Sequence, residues 1–230
     1  MIELNRVKDW ISSHPKATKW IAGILIVIGL LMAFDEPMKN WMIGHLSNEA
    51  RSSRIVKAHG GNFNYGDVHS VNGRDALRAS MSKAPASIGR IAIPAVGLKL
   101  PIYNGLGASG RNLLYGAGTL RPNQVMGKGN YTLAGHHLSN QNILFGPLMR
   151  TKVGQKVYLT DGKKVYTYKI TKRRVIDEHQ VQWIQDAPRA HKLTLFTCTT
   201  ATPGETNRLV VVGTLTHVAK VNKQNGNLFQ

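Results

Sequence analysis

The chain has 230 residues, 42% of them hydrophobic, with 30 Lys and Arg against 12 Asp and Glu for a formal net charge of +18. That is apolar material enough for one ordinary domain plus appendages, and it excludes disorder throughout. The charge is concentrated: from Met81 onward there are 20 basic and 5 acidic side chains, net +15, so this part is drawn to polyanions.

The first element is the uninterrupted apolar stretch from Trp20 to Phe34. Counted from Ala17, with Lys19 snorkelling, it makes a helix of about 27 Å against about 30 Å of bilayer hydrocarbon. A cleaved signal peptide and a buried core helix are the competing readings. No Ala-x-Ala-like site follows, Asp35-Glu36-Pro37 interrupts the pattern, and a core helix of this length rarely lacks a polar face. We therefore expect a retained transmembrane anchor. Arg6, Lys8, Lys16 and Lys19 precede it, whereas Lys39 is the only Lys or Arg in the first 16 positions after it. The positive-inside rule then makes residues 1–19 a cytoplasmic tail and puts residues 35–230 outside the cell. There the basic part meets anionic membrane lipids, and nucleic acid is not an expected partner.

Residues 35–81 read as a stalk: a short interfacial helix at Trp41-Met42-Ile43, a flexible Gly- and Asn-rich link over Ala58–Gly66, then a helix around Arg74–Ser82. His59 and His69 fall in this stalk, where solvated loop histidines are common, and are assigned no chemistry. Residues 82–230 have a different texture, short strand candidates separated by turn residues. These are Gly89–Pro94, Leu98–Tyr103, Gly116–Thr119, Asn130–His137, Lys156–Thr160, Lys164–Ile176, Lys192–Cys198 and Leu209–Val218. Eight such strands with few helical patterns predict an all-β fold, an eight-stranded, antiparallel-rich barrel with short helices. Asp161-Gly162 is a hairpin signal between two of them.

Cys198 is the only cysteine, and it ends the strand-like run Lys192-Leu-Thr-Leu-Phe-Thr-Cys. A lone thiol forms no internal disulfide, so outside the cell it points to reactivity or to accident. A nucleophilic thiolate needs a proton partner and nearby positive charge. His136, 62 residues before Cys198, and Arg208, 10 residues after it, both fall near strand ends, and a barrel can bring three strand ends to one rim. An edge histidine and a surface arginine remain the alternative.

Tyr131-Thr-Leu-Ala-Gly-His136-His137, Leu193-Thr-Leu-Phe-Thr-Cys198 and Asn207-Arg208-Leu-Val-Val-Val resemble, in order, the histidine, cysteine and arginine segments of the sortase family of Gram-positive bacteria. The similarity covers about residues 84–218, and the anchored N-terminus matches the housekeeping class A. The resemblance implies a sortase-type barrel and a cysteine transpeptidase that cuts a Leu-Pro-x-Thr-Gly sorting signal after Thr. It implies transfer of the surface protein to the amine of the peptidoglycan precursor lipid II. By the same resemblance Cys198 is the nucleophile, His136 the general acid and base, and Arg208 the oxyanion and substrate ligand.

Substrate contacts are expected from Ala134, which leaves room beside the histidine, and from Thr197, with Val181, Trp183, Ile184 and Pro188 forming an apolar wall in the recognition loop Asp177–His191. His137 is expected to be structural. Some class A sortases bind calcium through clustered acids, but here the catalytic part holds only Asp161, Asp177, Glu178, Asp186 and Glu205. No metal and no cofactor are expected. Two rival readings are a thiol hydrolase of the same fold and a non-catalytic, membrane-tethered wall-binding barrel.

Overall fold

The structure is a computed structural model that describes residues 14–230; Arg6 and Lys8 of the expected tail lie outside them. The chain divides into two compact units, one ending at Met38 and the other comprising Lys39–Gln230. Helix α1 spans Pro15–Ala50 and carries the apolar stretch. It is long and apolar enough to cross a membrane, and none of its most apolar window is buried in protein.

Two expectations about the stalk are corrected. Asp35-Glu36-Pro37 does not end the helix, which runs on through Pro37 to Ala50. Moreover, residues 39–50 are not a free stalk: Ile43, Leu46 and Ala50 are buried in the main core of the second unit. A proline inside a helix costs about 3 kcal/mol, and burying one Ile side chain returns about 1.5–3 kcal/mol. Tertiary packing downstream thus overrides the local stop signal. Asn40 also donates to the Ser139 hydroxyl, 2.8 Å away. The expected helix around Arg74–Ser82 is present as α2, Gly73–Ser80, started by a capping box between Asn72 and Asp75. Its Ala76 and Ala79 also enter the core, and the Tyr115 hydroxyl donates to the Ala79 carbonyl.

All eight expected strands form: β1 Gly89–Ile93, β2 Leu98–Tyr103, β3 Ala117–Thr119, β4 Gly129–Ala134, β5 Lys156–Thr160, β6 Lys164–Asp177, β7 His191–Cys198 and β8 Asn207–Lys220. They close into a barrel in the order β1-β2-β3-β4-β7-β8-β6-β5. Most neighbours are antiparallel, but β2–β3 and β4–β7 are parallel. Inward residues alternate along the strands, as in Ile91/Ile93, Leu193/Leu195 and Leu209/Val211, and their side chains fill the interior. The β5–β6 hairpin turns at Gly162, φ 84°, while the Asp161 carboxylate accepts from the Lys163 and Lys164 amides. Helix α3, Lys223–Gly226, follows β8.

Candidate active site

Cys198 is the last residue of β7 and Arg208 the second residue of β8, and the antiparallel ladder pairs them directly. Side chains opposite each other in such a ladder point to the same face. His136 arrives from β4, which pairs in parallel with β7 up to Ala134–Phe196. Continued by two residues, that register brings His136 level with Cys198. The extension is held by backbone and side-chain ties: Gly135 N–H donates to Phe196 O at 3.1 Å and Thr197 Oγ1 donates to Gly135 O at 2.9 Å. Gly135 itself is required, because a Cβ there would lie 2.6 Å from the ring of buried Phe145, whose amide donates to the His136 carbonyl. The three residues thus share one rim of the barrel.

The strand expected over Asn130–His137 stops at Ala134. His137 lies beyond the strand end. It is buried, with Nδ1 2.9 Å from the Cys198 carbonyl oxygen, which ties it to the backbone of Cys198. Thr197, expected to meet substrate, alternates to the face opposite Cys198, is 2% exposed, and spends its hydroxyl on Gly135. It ties the cysteine strand to the histidine segment.

Ala134, Phe196 and Ile184 pack against one small apolar cluster of Leu106, Leu113 and Leu120. Ile184 follows the 3-10 turn Val181–Trp183 in the β6–β7 connection. Val181 and Pro188 are exposed, while Trp183 is half-buried with the Lys172 ammonium 5.8 Å from its ring centre. Asn130 on β4 anchors this connection, its amide donating to Trp183 O and Gln185 O at 2.9 and 3.0 Å.

The electrostatics disfavour the charged forms of both Cys198 and His136. Burial pushes the Cys198 thiol pKa up; Arg208 opposes that, whereas Glu205 and Glu178 add to it. Burial pushes His136 down to about 4, with His69 acting in the same direction and Asp75 against it. Both shifts act against a thiolate–imidazolium pair. Histidine 69, assigned no chemistry from the sequence, thus stands near His136. Both line, with Asp75, Arg78 and Arg111, a cavity of about 230 Å³. Glu178 and Glu205 were likewise missed as functional neighbours. Arg208 Nη1 donates to the Glu205 and Asn207 carbonyls and Nη2 to the Glu178 carboxylate.

The Sortase domain model matches residues 91–216, more than half of the chain. The chain belongs to the sortase family. Sortase A of Listeria monocytogenes is 37% identical over 219 residues, covering 92% of this chain and 97% of that protein. Sortase A of Streptococcus agalactiae is 40% identical over 207 residues, 84% and 82% of the two chains. Among solved structures, Listeria monocytogenes sortase A superposes with a TM-score of 0.60 at 42% identity, covering 63% of this sortase and 98% of that chain. The protein is accordingly a sortase A-like cysteine transpeptidase, and Cys198 is its one cysteine.

Proposed function

We propose that this sortase cleaves a Leu-Pro-x-Thr-Gly sorting signal between Thr and Gly and transfers the surface protein to the amine of lipid II. The reading is supported above all by the direct ladder pairing of Cys198 with Arg208, with His136 two residues beyond the end of neighbouring β4. Cys198 passes its proton to His136 and its sulfur attacks the threonine carbonyl carbon. The Arg208 guanidinium stabilises the oxyanion by charge-assisted hydrogen bonds. His136 returns the proton to the glycine nitrogen, the C–N bond breaks, and a thioester remains. The acceptor amine then attacks the thioester, His136 takes up its proton, and the Cys198 sulfur leaves.

Ala134 and Ile184 form the apolar floor for Leu-Pro, with Val181, Trp183 and Pro188 along the wall, while Thr197 supports Cys198 from beneath. The enzyme works without calcium, a reading supported by where its few acids are spent. Asp161 is bound in the hairpin turn, Asp177 by His179, Asp186 by Arg121, Glu178 by Arg208 and Glu205 by Thr199 and Thr200. Helix α1 anchors the protein in the cell membrane, with the barrel outside and its net positive charge beside anionic lipids.

Incubation with a Leu-Pro-x-Thr-Gly peptide should give a covalent adduct on Cys198 by intact mass and, with an added amine, a ligated product. Cys198→Ala should yield neither while remaining folded. Release of the free acid alone in saturating amine would make the enzyme a hydrolase, and no adduct at all would leave the barrel a wall-binding module.

A further inference from the structure

Arg208 is not free at rest. The β6–β8 ladder ends with the pairs Ile176–Arg208 and Asp177–Asn207, so Glu178 is the first residue beyond β6. Its amide donates to the Thr206 carbonyl at 2.9 Å, which holds it beside the start of β8, and its carboxylate accepts from Arg208 Nη2. Resting on the role given to Arg208 above, we propose that Glu178 is a displaceable counter-ion that occupies the Arg208 fork in the free enzyme and yields it to a substrate carbonyl on binding.

The distinction between the two halves of the guanidinium carries this inference. Nη1 is bound to main-chain oxygens of Glu205 and Asn207, which belong to the fold and do not leave. Nη2 is bound to a side chain that is 36% exposed and can rotate into water. An ion pair with that exposure shifts an equilibrium by only a few-fold, weak enough to be exchanged for another hydrogen-bond acceptor.

The neighbouring acids are already committed. The Glu205 carboxylate accepts from the Thr199 and Thr200 hydroxyls and the Asn207 amide, and these bonds hold its pKa down at about 2. Asp177 is bound to the amide and Nδ1 of its neighbour His179. Glu178 is therefore the one carboxylate here whose only side-chain hydrogen bond among the described residues is to Arg208. While docked it does two things: it neutralises the cation that the oxyanion needs, and it opposes thiolate formation at Cys198. Exchange for a neutral carbonyl removes both effects at the moment substrate arrives, so the nucleophile is activated by binding.

Glu178→Gln in the full-length enzyme tests this. Phenylglyoxal modification of Arg208, followed by peptide mapping, should quicken roughly threefold or more, since a carboxylate partner shields the guanidinium. In peptide cleavage KM should fall by a similar factor with kcat little changed, and in an Arg208→Ala background the same swap should leave KM unaltered. An unchanged modification rate overturns the proposal. So does a raised KM with lowered kcat, which would make Glu178 a residue that positions Arg208 for catalysis. If the wild-type enzyme cleaves no sorting peptide, the function proposed above fails, and the modification rate still decides whether Glu178 shields Arg208.

Discussion

At the level of single residues, burial disfavours the charged forms of Cys198 and His136, and this has a measurable cost in acid. His136 titrates near 6.5 when solvated and near 4 in the fold, so between those values the unfolded chain binds the proton and the native chain does not. Stability from neutral His136 is complete above about pH 6.5 and is lost as pH falls towards 4, by about 3 kcal/mol at most. Urea unfolding at pH 7 and pH 5 should therefore show a larger fall in midpoint for the wild type than for His136→Asn. Equal falls would mean that the imidazole is hydrated in the native state. The same burial explains why this histidine needs so many supports: Gly135 over Phe145, Thr197 beneath, and His137 on the backbone of Cys198.

At the level of elements, the β6–β7 connection is tied from outside chiefly by Asn130, with Arg121 holding Asp186. Asn130 gives two hydrogen bonds to that connection and accepts a third from Thr194 Oγ1 at 2.6 Å. Asn130→Ala leaves these partners unpaired and should cost about 1–3 kcal/mol. Because the segment carrying Val181, Trp183 and Ile184 then loosens, peptide KM should rise several-fold with less change in kcat, and proteolytic nicking within residues 178–190 should appear. Resistance to nicking would show that the Ile184 packing and the Arg121–Asp186 pair suffice to hold the connection. The strands themselves were legible because alternation and turn residues such as Asp161-Gly162 are local properties. So was the placing of Cys198 and Arg208 on neighbouring strand ends, carried by two short segments. Helix α1 beyond Pro37 was not, because its continuation depends on Ile43 and Leu46 meeting a distant core. Nor were His69 beside His136 or Glu178 on Arg208, since contacts 67 and 30 residues apart leave no mark in a local pattern.

At the level of the whole molecule, an exposed apolar helix precedes a strongly basic barrel, and the two together define an orientation that can be tested. Protease added to intact protoplasts should release the barrel from the membrane; protection of the barrel, or a mature chain beginning near Asp35, would reverse the proposed topology. The barrel's closure has a separate consequence, for the order of folding. His136 comes level with Cys198 only when β4 pairs in parallel with β7, across the whole β5–β6 hairpin, whereas Cys198 and Arg208 face each other within the local β7–β8 hairpin. Such distant parallel pairings are slow to form, because the entropy of closing the intervening chain must be met before the contacts repay it. A chain in which β4 and β7 have not yet paired therefore has Cys198 and Arg208 side by side and His136 still elsewhere, so the rim is completed by the slowest pairing and not by the last strand made.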